Sequence, residues 1–129
     1  MTDLGEATQI LGIDIEQHLN EGTITLSQEK YTLPVLKRFK MKTCNPVRKP
    51  GIGAVIPASP KESTLLSDNH NKEYQSLVGS LNLLINCTRY DIAFATMQGA
   101  RLMVNPTNCI LRYLRRVPDL KLTYKRDSN

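Results

Sequence analysis

Between Lys42 and Asn71 the chain carries Pro46, Pro50, Gly51, Gly53, Pro57 and Pro60, and no apolar period survives across them. Each proline removes an amide donor, fixes φ, and pushes the residue before it out of the helical region. Neither a helix nor a central strand can be built through such a stretch. Regular structure must therefore come from the two flanks, and these differ in period. The expected organisation is a hairpin plus helix over 1–41, a linker or loop over 42–72, and a helical part over 73–129.

On the N-terminal side, Leu11, Ile13 and Ile15 alternate with Gly12, Asp14 and Glu16, which is a strand period. Ile24 and Leu26 alternate with Thr23, Thr25 and Ser27 in the same way. Asn20-Glu21-Gly22 supplies turn chemistry between them, with Gly22 free to take positive φ. The reading is a β-hairpin. Ser27 is placed to cap the next helix, in which Tyr31, Val35, Leu36 and Phe39 share a face and Lys30, Lys37, Arg38 and Lys40 form the outer one. Pro34 either kinks that helix or marks its start.

On the C-terminal side, Tyr74, Leu77, Val78, Leu81, Leu84 and Ile85 form a clear amphipathic helix. Asp91 is placed to cap a second helix carrying Ile92, Phe94, Ala95, Met97 and Leu102. A short third helix holds Ile110, Leu111, Tyr113 and Leu114, and Val117-Pro118 ends it. Leu120, Leu122 and Tyr124 alternate with Lys121, Thr123 and Lys125, a final strand. The fold class expected is α+β: an N-terminal hairpin and helix, a long irregular connection, about three helices and a short closing strand.

Several functions fall away. No apolar run is long enough to span a membrane, and the N-terminus has no basic stretch followed by an apolar one. The expectation is an intracellular protein of cytoplasm or nucleus, not secreted and without a membrane partner. Cys44, Cys87 and Cys109 are far apart and far from His18 and His70, so metal-ligand spacing is absent and free thiols are expected. Asp14 and Glu16 share a strand face, but as the solvent side of a hairpin rather than a metal site. Ser67, Asp68 and His70 are residue types of a hydrolytic triad crowded into one presumed loop, which is not how triads are assembled. No catalytic residue, metal ligand or cofactor is expected.

Charge is segregated within a net +5. Lys30, Lys37, Arg38, Lys40, Lys42, Arg48 and Lys49 follow one another with no acid between them. Arg101, Arg112, Arg115, Arg116, Lys121, Lys125 and Arg126 enclose only Asp119. Two such blocks suit a phosphate backbone, although solvated helix faces give the same pattern.

One ordered set of motifs is more specific. It runs from Leu11-Gly12-Ile13-Asp14-Ile15 through Leu26-Ser27-Gln28 and Lys30-Tyr31 to Arg38-Phe39, Cys44 and Pro46. It continues through Tyr74-Gln75-Ser76-Leu77-Val78-Gly79-Ser80-Leu81, Thr88-Arg89-Tyr90-Asp91-Ile92-Ala93-Phe94-Ala95, Asn105-Pro106-Thr107 and Leu122-Thr123-Tyr124. In this order it resembles the reverse transcriptase of copia-type retrotransposons, over the end of the palm, the thumb and the connection. Tyr90 stands where that family usually has Pro.

The resemblance implies that the polymerase carboxylates, which hold Mg²⁺ in the family, lie upstream of this stretch, and the ribonuclease H carboxylates downstream. This chain is then expected to be non-catalytic by itself. Leu11 and Gly12 would lie in the primer-grip-like region. Lys37, Arg38, Lys40, Arg112, Arg115 and Arg116 would contact an RNA or DNA duplex without reading its sequence. Other parts of a Pol polyprotein would be the remaining partners. A degenerate pseudogene product, or a small basic interaction protein without a nucleic-acid role, stays open as the alternative.

Overall fold

The computed structural model describes residues 2–51, 68–102 and 106–127. The elements are β1 (Gln9–Ile10), β2 (Ile13–His18), β3 (Thr23–Ser27), α1 (Glu29–Arg38), α2 (Asp68–Cys87), a 3₁₀ turn (Tyr90–Ile92), α3 (Ala93–Leu102), α4 (Pro106–Arg116) and β4 (Leu122–Lys125). The class is α+β, with three strands first, the helices after them and a closing strand, as the periods require. The middle of the Pro/Gly stretch, residues 52–67, lies outside the described residues.

The four strands form one antiparallel sheet in the order β1-β2-β3-β4. The hairpin pairs Asp14 with Ser27, Ile15 with Leu26 and His18 with Thr23. Its loop closes through the amides of Glu21 and Gly22, which donate to His18 and Leu19, and Gly22 takes φ +61°. An additional tight turn was not legible in the alternation. Ile10 pairs with Ile13, so Leu11 and Gly12 are a two-residue loop with φ +50° and +78°. Positive φ at both positions is the signature of the type I′ turn, whose twist matches that of the strands. Leu11 therefore stands in a turn, 91% exposed, and not in a strand as its alternation with Ile13 suggested.

The core is helical. Val35 and Leu36 of α1, Leu77, Leu81 and Leu84 of α2, Ile92 and Ala95, and Ile110, Leu111 and Leu114 of α4 form one buried cluster. None of the sheet residues belongs to it. The α2 face follows the i, i+4, i+7 spacing read from sequence, and the helix begins at Asp68, so Asp68 and His70 lie on α2. On α3 the expected apolar face is only partly used: Ile92 and Ala95 are buried, while Phe94 and Met97 are exposed.

The ends of α1 differ from expectation. Gln28, not Ser27, holds the N-cap position and makes no side-chain cap bond there. The Ser27 hydroxyl accepts from the Glu29 amide at 3.4 Å. Gln28 is buried, and its amide oxygen accepts a 2.7 Å bond from the Thr88 hydroxyl, so the side chain that could cap α1 instead ties it to the end of α2. Pro34 lies inside an unbroken helix. It falls in the second turn, so the helical bond forfeited is one to the Lys30 carbonyl. At the other end the Met41 amide donates to Leu36 and the Lys40 amide to Lys37, with Lys40 at φ +57°. This is the Schellman arrangement. It places Lys40 beyond the helix, off the outer face assigned to it.

Candidate nucleic-acid interface

Two of the six cations expected to contact a duplex meet at one place. Lys37, in the last turn of α1, and Arg115, in the last turn of α4, line a cavity of about 400 Å³ together with Lys42. Leu33, Pro34 and Leu36 form its apolar floor. Both helices carry their cations at the C-terminal end, where the helix dipole favours positive charge. The arrangement is an open groove with an uncharged floor and a cationic rim, suited to an anionic backbone.

The other four are distributed differently. Arg38 and Lys40 line a separate cavity of about 340 Å³ with Glu73 and Ser76, and the Arg38 guanidinium lies 5.6 Å from the centre of the Phe39 ring. Glu73 in that wall offsets part of its positive charge. Arg112 donates through Nε to the Asn45 carbonyl at 2.6 Å, and the Val47 amide donates back to the Arg112 carbonyl. Arg112 thus fastens the segment after α1 along α4. Arg116 is exposed at the end of α4. Lys30, also placed on the outer face of α1 by its spacing, is ion-paired with Asp14 at 2.8 Å. Leu11 and Gly12 form the projecting tip of the β1–β2 turn.

One tightly bonded cluster among the described residues was not marked by charge spacing. Arg89 is 1% exposed and donates Nε and Nη2 to the two oxygens of Asp91, at 3.0 and 2.9 Å. Its Nη1 donates to the Val117 carbonyl at 2.7 Å. The Tyr113 hydroxyl donates to the same Asp91 carboxylate at 2.7 Å, and the guanidinium lies 5.7 Å from the Tyr113 ring centre. Asp91 is thus not the cap of α3 but the acceptor of a fork that joins the α2–α3 junction to α4. Burial alone would raise the Asp91 pKa, yet the bonds from Arg89 and Tyr113 and the Arg89 charge outweigh it and hold it below the ordinary carboxylate value. Burial and the Asp91 carboxylate push the Tyr113 hydroxyl up.

These residues belong to a chain with clear relatives. It is 40% identical over 125 residues to the retrovirus-related Pol polyprotein from transposon TNT 1-94 of Nicotiana tabacum, which covers 89% of this chain. It is 37% identical over 105 residues to the Pol polyprotein of transposon RE2, and 38% over 96 to that of transposon RE1, both of Arabidopsis thaliana, covering 73% and 71% of this chain. Its homologues are Pol polyproteins of plant transposons. The chain spans 9%, 7% and 6% of the length of these Pol relatives. No family model matches the chain, and no solved structure matches it.

Among the described residues no three His, Cys, Asp or Glu side chains come together to hold an ion. Asp14 is paired with Lys30, and Glu16 with Lys121 at 3.2 Å. The free thiols Cys44, Cys87 and Cys109 are half-buried and separate. No helix among the described residues is long and apolar enough to cross a membrane.

Proposed function

We propose that this chain is the thumb and connection part of a copia-type reverse transcriptase, without polymerase or ribonuclease H chemistry by itself, and that it positions a duplex through the groove between α1 and α4. The observation that carries the reading is the convergence of Lys37, Lys42 and Arg115 on one open groove with an apolar floor. Arg116, exposed at the end of α4, lies outside the groove lining. The exposed Leu11–Gly12 tip takes the primer-grip-like place. Contacts of this kind go to phosphates, so they fix position and carry no sequence preference.

Anisotropy of a labelled RNA·DNA hybrid against salt tests it. Each phosphate neutralised releases counterions and contributes about −0.9 to the slope of log affinity against log salt on a B-form duplex. Changing Lys37, Lys42 and Arg115 together to Ala should flatten the slope by about two to three units. Changing Arg38 and Lys40 should flatten it less. A triple variant with native circular dichroism and an unchanged slope would remove the groove from the interface.

A further inference from the structure

A cavity of about 410 Å³ opens where the segment after α1 passes the start of α3. Lys49, Pro50 and Gly51 line it from that segment, and Asp91, Phe94 and Gln98 from the 3₁₀ turn and α3. Its size falls among small-molecule sites, which span roughly 300–1,000 Å³. Phe94 is 72% exposed, although Ile92 and Ala95 beside it in sequence are buried. The Asp91 charge is answered by Arg89 at 2.9 Å, whereas Lys49 belongs to no ion pair among the described residues. The lining is therefore net cationic. Asp91 still has room for a donor: Oδ2 accepts from Arg89 and Tyr113, and Oδ1 only from Arg89. Each carboxylate oxygen offers two acceptor positions. Gln98 adds an amide with donor and acceptor side by side.

These groups ask for different parts of one ligand. An exposed ring stacks a flat heterocycle. The vacant acceptor of Asp91 calls for an amine. A glutamine amide matches the adjacent donor and acceptor that adenine carries at N6 and N7. An unpaired lysine suits a phosphate. We propose that this cavity binds an adenine nucleotide, with the base stacked on Phe94, the N6 amine donating to Gln98 and to Asp91 Oδ1, N7 accepting from the Gln98 amide, and the phosphate on Lys49. The faces of a base inside a duplex are covered by its neighbours, so the ligand is a free nucleotide or an unpaired adenosine in a strand. The two share this chemistry. The cavity has no lining residue in common with the α1–α4 groove, so the proposal does not depend on the duplex reading.

The test is ligand-observed NMR titration of the 129-residue chain with AMP, with purine riboside 5′-monophosphate, which lacks the N6 amine, and with inorganic phosphate. AMP should bind about ten-fold or more tightly than the amine-free analogue. Phe94→Ala should weaken AMP about ten-fold or more, and the exposed ring makes this a variant that folds. Lys49→Ala should bring AMP towards the affinity of adenosine. The Lys37, Lys42 and Arg115 triple variant should change AMP affinity less than about two-fold, which separates this site from the groove. A short oligodeoxyadenylate distinguishes the sources. An unpaired strand would bind about ten-fold or more tightly than AMP and lose that gain in Tyr90→Ala, whose ring is 57% exposed one residue before Asp91. A free-nucleotide site would bind the two alike. No binding of millimolar AMP or of the oligonucleotide would overturn the proposal. So would equal affinity for the amine-free analogue or for phosphate alone, or an unchanged affinity in Phe94→Ala with native circular dichroism.

Discussion

Replacing Arg89 by Met removes the donor side of the Arg89–Asp91–Tyr113 cluster while keeping most of the buried volume. The Asp91 carboxylate then loses two bonds and the Val117 carbonyl one. Breaking a buried pair from one side costs roughly 3–5 kcal/mol, because the remaining charge is left unpaired. The Asp91 side chain retains 27% exposure, so water recovers part of its solvation. The expected loss is therefore at the lower end, about 3 kcal/mol. At this chain length that corresponds to a fall in Tm of roughly 10 °C. Urea denaturation followed by far-UV circular dichroism measures it, since the chain has no Trp. The double variant Arg89→Met/Asp91→Leu removes the orphaned charge as well, and should be less destabilised than the sum of the two single variants by about 1 kcal/mol or more.

The pH dependence gives the same cluster a second signature. Asp91 is held below its unfolded pKa, so its contribution is fully present above that value, roughly 4, and is lost as pH falls through the folded one. Tyr113 is raised, so its contribution is present below roughly pH 10 and is lost as pH rises through the folded value. The gap in stability between wild type and Arg89→Met should hence be widest near neutrality and close in acid. A loss under about 1 kcal/mol, strict additivity in the double variant, or a gap that widens in acid would refute the reasoning.

Two backbone variants test the turns. Lys40→Gly relieves a left-handed residue at the end of α1 and should stabilise the fold by about 0.5 kcal/mol in urea melts, the αL relief exceeding the added entropy of the unfolded chain. Gly22→Ala should destabilise by about 1–2 kcal/mol in the same assay, from left-handed strain plus crowding. The residue sits at φ +61°, and a Cβ there would come within 3.1 Å of the Arg126 Cβ.

The sequence made legible whatever rests on local period. The β2–β3 alternation, the α2 face and the closing strand all follow from spacing, because each buries or exposes residues in register with its own geometry. What was not legible rests on partners distant in sequence. Gln28 looks like any polar residue before a helix, and only the Thr88 hydroxyl, sixty positions away, makes it a tie. Asp91 has the position of a cap, yet Arg89 and Tyr113 claim its carboxylate. The basic blocks were visible as charge, but a count of charges cannot tell that Lys37 and Arg115 share a groove while Arg112 is engaged by Asn45. Leu11 kept step with Ile13 in the pattern, and the positive φ that turns it outward leaves no trace in an alternation. The adjacent Gly12 was the one hint.

The pairing of β4 on β3 sets the order in which this sheet is made. Thr25 and Thr123 face each other across 98 positions of sequence. Closing a flexible loop of that length costs about 4 kcal/mol by the (3/2)RT ln n rule, against far less for the four-residue hairpin loop. The β2–β3 hairpin should therefore form first, leaving β3 with an open row of donors and acceptors until β4 arrives. That row is a template for any passing strand. Compaction of the helices shortens the effective loop and brings β4 home. In pulse-labelled refolding, protection of the amides shared by β3 and β4 should accordingly appear after that of the β2–β3 ladder. Simultaneous protection would mean that the two ends of the chain find each other before the helices form.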